Sequence, residues 1–269
     1  QSQNGLGYTP VPLALIEQDP RTNLVSENDI DNFGQYLFQL QHTYRIGAKS
    51  SLVSTLYYGG AGGDFPFGYA TDSLGGFEQI NYPLFNTHTG FMSNYNAKTG
   101  AAGDFSIGLH AYTFSRRNLE YIIPNRNAPY YEDESTKDEI ALFAKWEKAF
   151  SIGSSGSENL KIYADVQLRQ LALNLGADQN FLGETPAIPA RNYTFLNPKL
   201  GISYQVNRNW QLYASFGRSG REPTRFDVLG ATAVNPSNIA LARDVNSIQA
   251  EYVNDIEVGT RWNTESVAL

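Results

Sequence analysis

Cysteine is absent from the 269 residues. That removes disulfide scaffolds, thiol nucleophiles and Cys-bound zinc or iron–sulfur clusters, and it leaves the redox compartment undetermined. Charge is scarce too: Asp, Glu, Lys and Arg make up 17%, against roughly a quarter in ordinary soluble domains. The charge present is acidic, 27 Asp+Glu against 20 Lys+Arg for a net −7. No Lys/Arg run supplies the positive footprint that displaces counterions, so nucleic acid is excluded as a partner. Also missing is any apolar run near the roughly 18 to 20 residues of a membrane helix. A membrane β-barrel survives all of these exclusions, because its strands face lipid only at every second residue.

What the chain does have is period-two alternation, in segments about as long as a tilted membrane strand of roughly 9 to 11 residues. Within 160–173, Leu160, Ile162, Ala164, Val166 and Leu168 line one face, and Lys161, Tyr163, Asp165, Gln167 and Arg169 the other. A slip of one residue would invert every side chain. Residues 139–150 oppose Ile140, Leu142, Ala144, Trp146 and Phe150 to Glu139, Lys145 and Glu147, with Lys148 breaking the pattern near the end. Residues 194–206 and 210–217 form a hairpin across Asn207-Arg208-Asn209, and 251–262 and 35–46 alternate in the same way. Weaker strands are expected over 51–59, 89–97 and 105–115.

Connections sort by length. Short links fall near 47–50, 98–104, 151–159 and 207–209, and long ones near 60–88, 116–138, 174–193 and 218–250, which places every long loop at one end. Aromatic residues near strand ends (Tyr36, Tyr204, Trp210, Trp262) suit interfacial girdles. A soluble sandwich also alternates, but its strands average five or six residues and its connections need not sort by side. The expected fold is all-β: an antiparallel transmembrane β-barrel segment of about ten strands, without substantial helix, the last strand starting near Ser266. An open sheet leaves unpaired backbone groups that lipid does not tolerate. The expectation is therefore a fragment of a longer secreted chain, in keeping with a start at Gln1 without a signal peptide.

Three stretches carry a family resemblance: Asn197-Pro198-Lys199-Leu200-Gly201-Ile202-Ser203-Tyr204, then Asn209-Trp210-Gln211-Leu212-Tyr213-Ala214-Ser215-Phe216, then Arg221-Glu222-Pro223-Thr224-Arg225. With Asn254 to Gly259, Tyr163 to Arg169, and Tyr130-Tyr131 leading to Lys137, they resemble the carboxyl-terminal part of a TonB-dependent outer-membrane receptor of the kind common in Bacteroidetes. Residues 130–262 carry most of the likeness.

The resemblance implies a larger barrel of about 22 strands, plugged by a separate amino-terminal domain. It implies import of a scarce nutrient, such as a siderophore-like iron chelate or cobalamin, energised by TonB, across the outer membrane of a Gram-negative bacterium. Residues 1–269 would be part of the barrel domain, with plug, TonB box and closing strand outside it. The implied partners are the TonB complex, the protein's own plug, lipid or lipopolysaccharide, and a small chelate. No cofactor is expected and no enzymatic activity. A passive porin, or a barrel protease or lipase, is the alternative.

Two readings of Arg221-Glu222-Pro223-Thr224-Arg225 stand side by side. In one, Pro223 ends ladder pairing and the two arginines clamp a carboxylate or phosphate. In the other, preferred because a shared motif serves a shared architecture, Arg221 or Arg225 pairs with Glu222 or with an acid of a neighbouring strand. Ligand contacts are expected from Tyr57, Tyr58, Phe65, Tyr130 and Tyr131, with Phe67 and Tyr69, on the long-loop side. Arg116, Arg117, Arg126, Arg221 and Arg225 favour an anionic, aromatic chelate. Polar-face Lys161, Asp165, Arg169, Glu257 and Arg261 are candidates to face the plug, or else are solvated wall charges. His42, His88 and His110 have no neighbour at metal-ligand spacing, and Asp72-Ser73 with the histidines composes no catalytic triad.

Overall fold

The computed structural model describes residues 2–4, 12–22, 30–70, 77–123, 129–153, 159–179, 188–229 and 248–263. Its strands are β1 (Ser2–Asn4), β2 (Ile30–Arg45), β3 (Ser50–Asp64), β4 (Pro66–Ala70), β5 (Phe77–Asn81), β6 (Leu84–Lys98), β7 (Asp104–Ile123), β8 (Tyr131–Phe150), β9 (Leu160–Asn174), β10 (Arg191–Gln205), β11 (Trp210–Arg221) and β12 (Glu251–Trp262). The helices among the described residues are short, α1 (Leu13–Gln18) and α2 (Arg225–Leu229). None is long and apolar enough to cross a membrane. Ten strands follow one another as antiparallel neighbours in the order β1-β2-β3-β6-β7-β8-β9-β10-β11-β12. The small β4–β5 hairpin joins them through the end of β7.

Register places like with like. Leu142, Leu168 and Leu196 stand opposite one another across β8, β9 and β10, and Phe216 stands opposite both Leu200 and Ile256. This apolar face is the exposed one, with Leu196 at 56% and Val258 at 81%, whereas on the opposite, polar face Phe195 and Asp133 are almost wholly covered. A soluble sheet buries its apolar side; here the burial is inverted, as it is where lipid is the solvent on that face.

On several strands glycine faces an aromatic ring directly across the ladder. A Cβ on Gly201 would lie 2.1 Å from the Tyr163 ring, and one on Gly259 would lie 2.4 Å from Tyr213. The ring thus occupies the surface that glycine leaves open, and it restores cross-strand packing to residues with no side chain of their own.

At the short-turn end, Trp210 and Trp262 are cross-strand partners, and Trp146 donates its indole N–H to the Ala102 carbonyl over 2.8 Å. Lys148, the break in the alternation of β8, lies on the apolar face. Its ammonium reaches the Ala101 carbonyl and sits 4.9 Å over the Phe150 ring, so its stem stays with the apolar residues while its charge leaves them. Tyr36 lies away from this girdle, against Tyr58 and Phe38 farther along the apolar face. The left-handed backbone of Gly100 (φ 66°) and Gly103 (φ 96°) makes the tight β6–β7 link.

Two expectations need correction. Residues 116–138, read as a loop, are mostly ladder: β7 and β8 run 20 residues each, with Arg116 opposite Ser135 and Glu120 opposite Tyr131. Alternation of apolar residues stops at Ile140, but polar pairs carry the hairpin on. Thr113 donates to Asp138 (2.7 Å) and Ser115 to Glu134 (2.9 Å), and polar cross-strand pairs of this kind stabilise a solvated ladder without an apolar side. Likewise β3 continues to Asp64, past the expected end of the strand 51–59, so Tyr57 and Tyr58 are mid-strand rather than at a strand end. Arg126, Asp72, Ser73 and the strand expected from Ser266 lie outside the described residues.

Candidate polar-face binding site at the long-loop end

Beyond β11 the chain turns back across the polar face. Glu222 forms an ion pair with Lys137 of β8, and lies 3.6 Å from Arg169 of β9. Arg169 grips Glu139 with two nitrogens, Nε at 3.0 Å and Nη2 at 2.6 Å, and also donates to the Gly220 carbonyl at 3.3 Å. Tyr112 donates to the same carboxylate at 2.9 Å. Glu139 is nearly covered, and a covered carboxylate stays ionised only when charged donors surround it.

Three residues farther on, Arg225 closes a second clasp. Its Nη2 lies 2.8 Å from Asp133 and 2.6 Å from the Tyr131 hydroxyl, and Asn118 donates to the other Asp133 oxygen at 2.9 Å. Val228 of α2 then joins Leu171, Leu173, Leu175 and Phe195 in the apolar cluster of this face. Thr224 caps the short helix by accepting the Asp227 N–H on its hydroxyl oxygen (3.2 Å), and in return its own N–H and hydroxyl donate to the Asp227 carboxylate and hold that carboxyl below its usual range. Arg221 pairs with Glu251 on the adjoining β12 (2.6 Å), with both side chains largely in solvent. The ion-network reading of this motif therefore describes its contacts: Arg221 meets a neighbouring strand's acid, and Glu222 and Arg225 reach over to β8 and β9.

The crossing segment roofs a cavity of about 500 Å³ lined by Phe114, Arg116, Lys137, Arg221, Glu222 and Arg225, among others. Most of these cations have a carboxylate partner. Among the described residues Arg116 has none: its Nε donates to the neutral side chain of Asn118 (2.8 Å). Arg225 Nε is buried with no hydrogen-bond partner among the described residues. A larger hollow of about 750 Å³ lies along the edge of the apolar face, lined by Leu56, Phe91, Thr113, Asp138, Ile140 and Asn192 among others, and contains no Lys or Arg.

The residues singled out from sequence separate in the structure. Arg116, Arg221 and Arg225 come together at the cavity, and Tyr131 supports it from beneath through Asp133. Arg117 points to the other face, paired with Glu132 at 2.6 Å. Tyr58 is also on that face, hydrogen-bonded to Tyr36, whereas Tyr57 is on the polar one. Phe65 packs on Phe33 at 6.0 Å, Tyr130 stands largely in solvent, and Phe67 and Tyr69 belong to β4.

Of the candidates to face a plug, Arg169 is held in the Glu139–Glu222 network, and Lys161 lies 3.5 Å from Glu147. Asp165 stands between Lys145 and Lys199, and Glu257 and Arg261 lie on the polar side of β12. Lys137 and Glu139 stand at the centre of the network; Lys137 was legible only as part of the family resemblance and Glu139 only as a polar-face residue, and the register of β8 against β9 brings them to Arg169. Among the described residues no group of three or more His, Asp or Glu is placed to hold a metal ion.

Long antiparallel strands with an apolar exposed face, a polar packed face and one-sided long connections define the wall of a transmembrane β-barrel. The chain belongs to the TonB dependent receptor-like, beta-barrel family, whose pattern it matches over residues 2–269. Similar folds occur in the copper transporter OprC (13% identity, TM-score 0.65, 90% of this chain and 37% of that one). They occur also in the ferric citrate transporter FecA in its unliganded form (15%, 0.64, 96% and 36%) and in the closed ferric-catecholate import receptor Fiu from E. coli K12 (12%, 0.63, 90% and 40%). The chain thus spans 36 to 40% of the length of these structures. No curated protein sequence matches it.

Proposed function

We propose that this chain is barrel wall of an active transporter in the outer membrane of a Gram-negative bacterium, importing an anionic, siderophore-like iron chelate. Energy would come from TonB acting on a TonB box and plug domain that belong to the whole protein, and lipid and lipopolysaccharide would contact the apolar face. The whole protein is a transporter in this reading, not an enzyme. Membership of the receptor family supports the transport class. The observation that carries the choice of ligand is the cavity under the Arg221–Arg225 segment, where among the described residues Arg116 lacks an acidic partner and the buried Nε of Arg225 has no hydrogen-bond partner. A carboxylate or catecholate oxygen entering there would meet charge-assisted donors, which are the strong ones. The same resemblance leaves Lys161, Asp165, Glu257 and Arg261 as the residues that would face a plug.

Growth under iron limitation with and without the gene, and uptake of labelled ferric siderophores, test the reading. Uptake is expected to need TonB and the proton gradient and to fall roughly tenfold in Arg116→Ala, the effect of losing one charge-assisted bond of about 1.5 kcal/mol. Uptake that ignores an uncoupler would indicate a passive porin. Unchanged iron uptake on deletion would leave cobalamin or a glycan as the cargo.

A further inference from the structure

The polar face carries a second cluster, on β3, β6 and β7, that adjoins the first: the His88 and His110 rings lie 4.9 and 5.2 Å from the Tyr112 ring. The Tyr57 hydroxyl lies 2.9 Å from Nε2 of His110 and 3.2 Å from Nε2 of His88. Tyr57 gets there by lying across Gly90, where an added Cβ would sit 2.3 Å from the hydroxyl, so its oxygen passes over β6 to reach a residue of β7. One hydroxyl proton serves one acceptor. The hydroxyl therefore donates to one imidazole and accepts from the other, and both Nε2 atoms aim at a single point. Met92, the one methionine of the chain, is the direct cross-strand partner of His110 and lies on the same face as His88, four residues along β6. Glu139, the carboxylate held by the neighbouring Tyr112, is also occupied by Arg169 and Lys137.

We infer that His88, His110 and Met92 form a binding site for a soft cation, copper(I), on the polar face of the barrel wall. Two imidazoles and a thioether, without a free carboxylate, disfavour hard cations, and the thioether selects copper(I) among the metals that imidazole suits. Binding requires the imidazole whose Nε2 carries a proton to shift it to Nδ1, and the Tyr57 hydroxyl to yield its place to an ion about 2 Å from each nitrogen. A supported tyrosine over a glycine is free to make that change without disturbing the ladder, since its hydroxyl has no backbone partner.

The test uses the full-length protein folded in detergent, titrated with copper(I) under argon against a chromophoric copper(I) chelator. One equivalent is expected per chain. His88→Gln and His110→Gln, which keep a hydrogen-bonding amide beside Tyr57 and so protect folding, are each expected to weaken copper(I) by more than the roughly tenfold that loss of a merely supporting group costs. Met92→Leu should weaken copper(I) and leave zinc(II) binding unchanged. Tyr57, His88, His110 and Met92 do not line the cavity under Arg221–Arg225, although His88 packs on its Phe114, so siderophore uptake in His110→Gln should match the parent, and failure of one reading leaves the other standing. The inference is overturned by absence of bound copper(I), by an unaltered copper(I) affinity in the double His→Gln variant, or by tighter zinc(II) than copper(I) binding in the parent.

Discussion

Asp133 and Glu251 both accept from an arginine of the same five-residue motif, and their surroundings make the two pairs unequal. Asp133 has no solvent exposure, while Glu251 and Arg221 are each more than half exposed. Removing Arg225 strands a covered carboxylate on Tyr131 and Asn118, whereas removing Arg221 returns Glu251 to water. Arg225→Ala should therefore destabilise by about 3 kcal/mol, and Arg221→Ala by no more than about 1 kcal/mol. Urea midpoints of the two variants, folded in the same detergent, check this; equal midpoints would mean that the clasp at Asp133 is unimportant. The residues of the motif were visible in the sequence. Their partners were not, because Asp133 and Lys137 lie some 85 to 92 positions away along the chain and nothing local ties them to the motif.

Among elements, β9 shows why the faces cannot be exchanged. Leu168 sits between Leu142 and Leu196 on the apolar face, while Ser215, on the polar face of β11, stands opposite Gly201 and Glu257. Leu168→Arg is expected to cost about 2 to 4 kcal/mol in a bilayer, the penalty for a cation near mid-membrane. Ser215→Arg should be nearly neutral, since it meets a wet wall and an acid. Reversible unfolding from lipid vesicles compares the two, and similar losses would contradict the assignment of faces. Alternation predicted β9, β10 and β12 nearly to their ends. It failed for β7 and β8 above Ile140, since a hairpin outside the apolar band has no face to keep apolar and its pairing rests on Thr–Asp and Ser–Glu contacts that have no period.

For the molecule as a whole, the sheet is a path with two ends, and β12 pairs on one side with β11 alone among the described residues. Ile256 and Val258 stand 75 and 81% exposed beside that edge. Backbone groups left unpaired in lipid cost several kcal/mol each, so the 269-residue segment by itself is expected not to insert stably into vesicles. Supplying the rest of the whole protein as a second chain should restore protected, protease-resistant strands. A protease map of vesicle-bound segment, alone and complemented, gives the answer; full protection of the segment alone would refute the need for closure. The crossing of residues 221–229 over β8 and β9 is also a property at this scale, since it ties one end of the wall to its middle.

By itself, the sequence determined β9 to β12 and the side of each that meets the apolar solvent, the sorting of long connections to one end and the family, because each follows from local period or from a contiguous motif; it missed β4 and β5 inside the expected loop 60–88. The tertiary structure alone decided what the charged residues do. Lys137, Glu139, Arg169 and Glu222 become one network, and Arg117 and Tyr58 are sent to the opposite face from Arg116 and Tyr57, through strand register. Likewise His88 and His110, 22 residues apart with no motif between them, meet at Tyr57 because Gly90 leaves room for a ring to pass. Register is set by the summed preference of whole strands for one face, so no single residue announces which distant side chain it will touch.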